Sequence, residues 1–480
     1  MNMVKDSPRS RLDEVRRLLT ISCIPAVCIA ATAVIGLASS PTADQFAPPP
    51  ARRPDILLVT IDALRADHLS SYGYHQFTSP AIDAFARNAA TFTNAIAQAP
   101  YTKASIASIM TGHYPSAHKT VTASVPFPET MTGHVTTAPI VTDVLPSSMP
   151  TLAEALRGGG YQTVGFTANP FLIEAFGFAR GFERFRFYPG ADFARGERLV
   201  ADAVDAARDA DGRRPLFAWV HFMEPHSPYT PPPLTAGMFR VGGPPQPISS
   251  QVSIPGWLLP GSPRDLRPYI AAYDDDISAV DAAFDTLVRE VRMMRGWRDL
   301  VVVLAADHGE QFMDHGGWEH GSNLHDELIR VPLIIQAPRS KAGVIDTQVQ
   351  LIDLFPTLLE IAGVSHPASP GRTLEVLWNR KSPSHPAMSE IVGLQSTVRD
   401  EGFKLIMFPT GRAQLFDLAR DPHERVDVAA DNQARVQTMQ TTLDRIHADA
   451  VKAGEGSHTE MVPIDPDVAQ RLRALGYTQR

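Results

Sequence analysis

The chain has 480 residues, more than one ordinary domain and enough to bury a large core. Its 44% hydrophobic and 20% charged composition is globular, and a net charge of −8 gives no reason to expect nucleic acid as a partner. The two cysteines, Cys23 and Cys28, share one N-terminal apolar run, so the body has no disulfide, cysteine metal ligand or cysteine nucleophile.

Residues 1–17 form a basic tail with Lys5, Arg9, Arg11, Arg16 and Arg17, and residues 18–37 are uncharged and apolar. That length could span a bilayer, and Ala38-Ser39-Ser40 would permit cleavage, so the segment reads either as a transmembrane anchor or as a signal. Basic residues before the span send the rest of the chain out of the cytoplasm. The protein is expected on the periplasmic or extracellular side, tied to the membrane by this segment or secreted after cleavage. A Pro- and Ala-rich linker fills 38–53.

A nearly continuous apolar, β-branched run at 55–61 reads as a buried parallel strand with Asp62 at its carboxyl end, where open α/β sheets bind ligands. Residues 80–90 read as a helix. Residues 101–112 read as another, with Thr102 as N-cap, Ile106, Ile109 and Met110 on one face, and Gly112 as its stop. The start of such a helix suits an anion. Residues 113–144 read as a long excursion, 151–159 as a capped helix and 161–166 as a strand. A buried strand at 215–220 runs into His221-Phe-Met-Glu-Pro-His226, and a Pro/Gly-rich insertion at 231–268 is expected over the site.

The amphipathic pattern at 269–294 predicts a long helix, with Asp274, Asp275 and Asp276 as a feature of its N-terminal end. The strand at 299–305 ends in Asp307-His308-Gly309-Glu310, and His320 comes after it. A helix at 323–329, a strand at 331–335 and a helix at 350–362 complete this part. Residues 403–407 and 413–416 read as a hairpin, and about 432–452 as a polar helix. The alternation predicts an α/β fold, a mainly parallel sheet with helices on both faces, over 54–370. A small antiparallel C-terminal subdomain and tail take 371–480.

Several strand ends thus carry residues that hard and borderline cations accept: Asp62, His221, Glu224, His226, Asp307, His308 and His320, with Thr102 at a helix start. In this order, Val59 through Asp67, Tyr101-Thr102 through Thr111-Gly112-His-Tyr-Pro115, His221 through Tyr229, and Asp307-His308-Gly-Glu310 through His320-Gly321 to Pro332 resemble the sulfatase family of the alkaline phosphatase superfamily. The likeness covers roughly 54–365 and extends to 403–427.

The sequence departs from that pattern where the chemistry sits. Sulfatases proper place Cys or Ser in a Cys/Ser-x-Pro-x-Arg signature and oxidise it to formylglycine. That position is Thr102 here, without the Pro or the Arg, and Ala63 replaces the second Asp of the first strand. These changes resemble the Thr-nucleophile branches, namely nucleotide phosphodiesterases, lipoteichoic acid synthases and phosphoethanolamine transferases. The resemblance implies a first divalent ion (zinc, manganese, calcium or magnesium) on Asp62, Thr102, Asp307 and His308. A second ion, if present, would take His320 with His226 and either Glu224 or His221.

The expected activity is hydrolysis of a phosphate (di)ester or sulfate ester on a small-molecule, lipid or glycan substrate. Thr102 would attack, and Lys103, His226 and His320 would assist. The alternatives are a sulfatase acting on sulfuric esters, a phosphoryl or phosphoethanolamine transferase on an envelope lipid or glycan, and a binding protein on an inactive copy of the fold.

Overall fold

The computed structural model describes residues 53–121, 141–188, 196–210, 212–295, 299–378 and 383–474. The basic tail, the predicted anchor or signal at 18–37, nearly all of the linker, and 122–140 of the excursion lie outside them. Among the described residues no helix is long and apolar enough to cross a membrane.

The first elements are β1 (Asp55–Ile61), α1 (Pro80–Ala86), β2 (Ala90–Ile96), α2 (Thr102–Thr111), α3 (Pro115–His118), β3 (Val141–Asp143), α4 (Leu152–Gly158), β4 (Gln162–Thr167) and β5 (Arg184–Phe187). Next come α5 (Gly196–Asp209), β6 (Leu216–Phe222), α6 (Arg267–Arg295), β7 (Leu300–Ala306), β8 (Gln311–Phe312), β9 (Trp318–Glu319), α7 (Asp326–Ile329), β10 (Arg330–Gln336), β11 (Gly343–Ile345), β12 (Val349–Gln350) and α8 (Leu354–Ile361). The C-terminal part holds β13 (Ala387–Ile391), β14 (Gln395–Asp400), β15 (Phe403–Met407), β16 (Ala413–Asp417), α9 (Gln433–Ala453), β17 (Met461–Pro463) and α10 (Pro466–Ala474).

The main sheet runs β11-β2-β10-β7-β1-β6-β4-β5, with β12 also on β2. Strands β7, β1, β6, β4 and β5 are mutually parallel, and β10 runs against both of its neighbours. Every residue of β1, β6 and β7 is buried. That is why these strands read as unbroken apolar runs instead of alternating ones. The helices pack in two groups, α1 with α5 and α6, and α2 with α4 and α8, which cover the sheet from its two sides. The C-terminal part is the antiparallel sheet β13-β14-β15-β16 with α9 against it.

Several boundaries differ from the sequence reading. The helix expected over 80–90 stops at Ala86, because the next seven-residue run is strand β2, whose β-branched and aromatic positions pair with β10. Strand β5 and helix α5 were not anticipated. The α4 start shows a capping box: Thr151 Oγ1 accepts from Glu154 N at 3.1 Å, and Thr151 N donates to the Glu154 carboxylate at 2.8 Å. The acidic triplet does not mark the start of α6, which begins at Arg267. Asp274 accepts from His68, Tyr74 and Gln76, and Asp275 accepts from the backbone N–H groups of Gly237 and Phe239. These carboxylates tie loops to the helix flank.

His118, at the end of α3, illustrates a buried polar pair with a pH cost. Thr120 N donates to Nδ1 at 3.1 Å, so Nε2 carries the proton and donates to Ser108 Oγ at 3.0 Å. Burial pushes the imidazole down to about 3 from 6.5. The unfolded chain therefore takes up a proton that the folded chain refuses, and this contribution to stability is lost as pH falls below 6.5. By pH 5 the loss is about 2 kcal/mol. A His118→Gln variant is expected to lose less stability than the parent between pH 7 and pH 5, measured by urea unfolding at both.

Candidate active site

The carboxyl ends of β1, β2, β4, β6 and β7 share one edge of the sheet, and each delivers a polar side chain directly or through a short loop. Asp62 follows β1, Asn169 follows β4, His221 is in β6, and Asp307 and His308 follow β7. The loop after β2 leads into α2, which starts at Thr102. Thr102 is the first residue of the helix and not its cap, since Tyr101 holds the extended cap position (φ −158°, ψ 152°). All ten residues of α2 are buried, so the predicted apolar face is one side of a helix enclosed all round.

Freed from capping, the Thr102 hydroxyl lies in the cluster. Its Oγ1 is 3.3 Å from Asp62 Oδ1, 3.2 Å from His308 Nε2 and 3.4 Å from Asn169 Nδ2. Asp62 Oδ2 accepts from Asn169 Nδ2 at 2.7 Å and faces His221 Nε2 at 3.2 Å. Asp307 Oδ1 accepts from the backbone of Ala63 and His308, at 3.2 and 2.9 Å. Its Oδ2 is buried with no hydrogen bond, 3.7 Å from His308 Nε2. Asp62, Asp307, His221 and His308 are fully buried.

One ligand atom from each of Asp62, His221 and Asp307 lies within 4.8 Å of the others, a group that could hold a metal ion. His308 Nε2 lies 3.4 Å from Asp62 Oδ1 and 3.7 Å from Asp307 Oδ2. Two buried carboxylates, one of them with a bare oxygen, fit a dication: a buried carboxylate oxygen without a donor is costly, and a cation removes that cost. Among the described residues no second group of three such ligands is found.

The electrostatics follow from this crowding. Burial opposes ionisation of Asp62, but His226, His221 and His308 outweigh it and hold the carboxyl well below its usual range. Burial and the Asp62 charge push Asp307 up to about 6. Burial would lower His308, yet the Asp307 and Asp62 carboxylates raise it to about 9.

The turn after Asp62 is built by α6. Ala63, where the resemblance placed a second Asp, has φ +54°. Tyr273 Oη donates to the Ala63 carbonyl at 2.7 Å and accepts from Arg65 N at 2.8 Å. Ser105 Oγ donates to the Asp307 carbonyl at 2.6 Å, which locks the first turn of α2 to the end of β7.

His226 and His320 meet edge to face beside this cluster: their ring centroids are 4.7 Å apart, and the His320 ring lies 4.4 Å from that of His308. Burial lowers His226, with the Asp62 charge opposing. Glu224, a suggested second-ion ligand, lines the groove between α5 and α6. Lys103 departs from its expected place. Its ammonium is buried and paired with Asp143 and Thr142 on β3, a strand that carries none of the other site residues. Burial lowers it to about 8 against the pull of Asp143. Sequence reasoning missed Asn169, although it stands two residues past a strand end, the place that singled out the others.

Gly309 shows why His308 sits where it does. His308 Nδ1 donates to the Gly309 carbonyl at 2.8 Å, and Gly309 N donates to the Leu328 carbonyl at 2.8 Å. A Cβ on Gly309 would lie 2.0 Å from the Glu327 carbonyl oxygen. Backbone must therefore move in Gly309→Ala, and His308 with it. Expected are a loss of roughly 10- to 100-fold in metal affinity or turnover and a stability cost of about 1–3 kcal/mol, checked by metal content after dialysis and by kinetics.

Comparison with known proteins gives this geometry a family. The profile described as Sulfatase matches residues 54–364, and the one described as N-sulphoglucosamine sulphohydrolase, C-terminal, matches 314–449. A Delta 4,5-hexuronate-2-O-sulfatase of Bacteroides thetaiotaomicron is 24% identical, over 79% of this chain and 85% of that protein. A choline-sulfatase of Rhizobium meliloti is 24% identical, over 87% and 89%. The solved phosphonate monoester hydrolase of Agrobacterium radiobacter superposes with a TM-score of 0.68 at 21% identity, covering 86% of this chain and 100% of that one. A solved 2-O GAG sulfatase gives 0.68 at 22%, covering 87% and 96%. With its profile spanning well over half of the sequence, the chain belongs to the sulfatase family of the alkaline phosphatase superfamily and is an ester hydrolase.

Proposed function

We propose that this hydrolase cleaves a phosphate (di)ester through Thr102, with one divalent ion held by Asp62, Thr102, Asp307 and His308. The observation that carries the reading is the Thr102 hydroxyl, placed as the first residue of α2 and within 3.3 Å of both Asp62 and His308. When bound, such an ion supplies Lewis acidity of the kind that lowers the pKa of water from about 16 to about 7.

The chain's own residues do the rest. Asp62 Oδ1 is an acceptor for the hydroxyl proton of Thr102. Asn169 Nδ2 faces both Asp62 and Thr102 and holds them in register. The attacked phosphorus would sit against the first turn of α2, whose amides and dipole favour negative oxygens. His226 or His320, once protonated on Nε2 as well as on Nδ1, would give that proton to the leaving oxygen. The covalent Thr ester is then opened by direct attack of water. Lys103, paired with Asp143, supports the helix start.

Sulfate esters are the second reading, favoured by the names of the relatives. Against it stands Thr102 itself: formylglycine releases sulfate by elimination, which a Thr ester cannot do. The substrate would be a small molecule, lipid or glycan ester. The basic tail and apolar run support export, with this domain outside the cytoplasm; recovery of the domain with the cytosolic fraction would end that part of the proposal.

The deciding experiment compares kcat/KM for bis(p-nitrophenyl) phosphate and p-nitrophenyl sulfate on the metal-loaded protein. Faster phosphodiester cleavage is expected. The reverse order installs the second reading, and no bound metal with no turnover of either sinks both.

A further inference from the structure

Four imidazoles lie in or beside the candidate ion site, and the proton on each can be placed from its partners. His308 Nδ1 faces the Gly309 carbonyl at 2.8 Å, His226 Nδ1 faces the Ser227 carbonyl at 2.5 Å, and His320 Nδ1 faces the Glu310 carboxylate at 3.2 Å. Carbonyl and carboxylate oxygens only accept, so these three rings donate from Nδ1. In the neutral ring that leaves the Nε2 lone pair for a cation or a proton, the arrangement that second-shell acceptors impose on metal-binding histidines.

His221 is arranged the opposite way. It lies on β6 in register with Thr60 on β1, and Trp219 is two residues earlier on the same face. Trp219 Nε1 donates to Thr60 Oγ1 at 3.0 Å, and Thr60 Oγ1 is 2.8 Å from His221 Nδ1. An indole N–H can only donate, so Thr60 must accept from it. The hydroxyl's own hydrogen then has one partner among the described residues, His221 Nδ1. That nitrogen is an acceptor, the ring proton is on Nε2, and Nε2 points at Asp62 Oδ2, 3.2 Å away.

We infer that His221 is a positioning residue and not a metal ligand: through the buried chain Trp219–Thr60–His221 it donates to Asp62 Oδ2 and turns Oδ1 toward Thr102 and His308. Asn169 Nδ2 donates to the same Oδ2, so that oxygen is engaged from two sides while Oδ1 faces Thr102 Oγ1 and His308 Nε2. Distance alone places His221 in the ligand group with Asp62 and Asp307. The direction of its hydrogen bonds takes it out. Thr60 and Trp219, both fully buried, thereby acquire a role in selecting the ligand set.

This inference rests on the proposed ion site, and its test separates the two. The full chain is stripped with a chelator and reloaded with Co²⁺; the visible spectrum reports the donor set, and competition with a chromophoric chelator reports affinity. His221→Gln keeps an amide donor that can reach Asp62. It is expected to bind one Co²⁺ with the parent's spectrum and an affinity within roughly 3-fold, whereas His221→Leu and Thr60→Val lose about 10- to 100-fold without a change of donor set. Thr60→Ser restores the parent's affinity. A His221→Gln spectrum showing a lost nitrogen donor, or an affinity loss as large as that of Asp307→Asn, makes His221 a ligand and overturns the inference. Equal losses in all four variants, tracking thermal unfolding of the metal-free proteins, reduce the chain to packing and also overturn it. A parent that binds no Co²⁺ removes the ion site itself, and the inference with it.

Discussion

Thr102→Ala is expected to lower phosphodiester turnover by roughly 10⁴-fold or more, the scale on which enzymes lose rate when a covalent nucleophile is deleted. The hydroxyl is buried and faces Asp62, His308 and Asn169, so no neighbouring side chain offers a substitute: Ser105 Oγ is directed at the Asp307 carbonyl. The fold should survive, because the hydroxyl caps no helix and α2 starts from an extended Tyr101. Thr102→Ser keeps the nucleophile and retains substantial activity. Rapid-quench kinetics on the parent should show a burst of p-nitrophenol equal to the enzyme concentration, the signature of an accumulating covalent ester. A Thr102→Ala protein that still turns over at the parent rate assigns the attack elsewhere.

The second large effect concerns stability. Lys404 on β15 is fully buried, with Nζ 2.9 Å from Asp326 Oδ1 and 2.8 Å from Glu424 Oε1. Arg399 meets the other Asp326 oxygen at 2.9 Å, and Asp326 N donates to Glu424. Burial opposes the Asp326 charge, but Arg399 and Lys404 hold its carboxyl below the usual range. Asp326 opens α7, and Leu328 of that helix accepts from Gly309, so this network backs the loop that presents His308. Lys404→Ala leaves Glu424, and one oxygen of Asp326, buried without their cation. A loss of about 3–5 kcal/mol is expected, read from the midpoint of chemical denaturation, with Lys404→Arg recovering part of it. A shift below 1 kcal/mol would show that water replaces the ammonium without cost.

Much of the site was legible because its chemistry is written at strand ends. The unbroken apolar runs at 55–61 and 299–305 mark strands covered on both faces, so Asp62, Asp307 and His308 fall at their carboxyl ends without any knowledge of tertiary contacts. The acidic triplet at 274–276 was misread because its partners are not local. Helix starts and turns are inferred from local composition, while the partners of Asp274 and Asp275 lie on loops 36 to 206 residues away. Lys103 is the sharpest case. A cation next to the nucleophile position suggests charge for the reacting group, yet its side chain runs to Asp143, 40 residues on.

By itself the sequence determined which chemistry is available: a hydroxyl at Thr102, carboxylates and imidazoles at the ends of apolar strands, and no cysteine after residue 28. Residue type and local periodicity suffice for that, because a side chain's donors, acceptors and pKa range belong to it before folding. Only the tertiary structure decided how those groups are used. It turned β10 against its neighbours, moved Thr102 from cap to cluster, sent Lys103 to Asp143, and gave His221 and His308, both at strand ends, opposite hydrogen-bond directions. A ring nitrogen becomes a donor or a lone pair according to what its other nitrogen meets. At His221 that partner is Thr60, 161 residues away along the chain and in register across two strands.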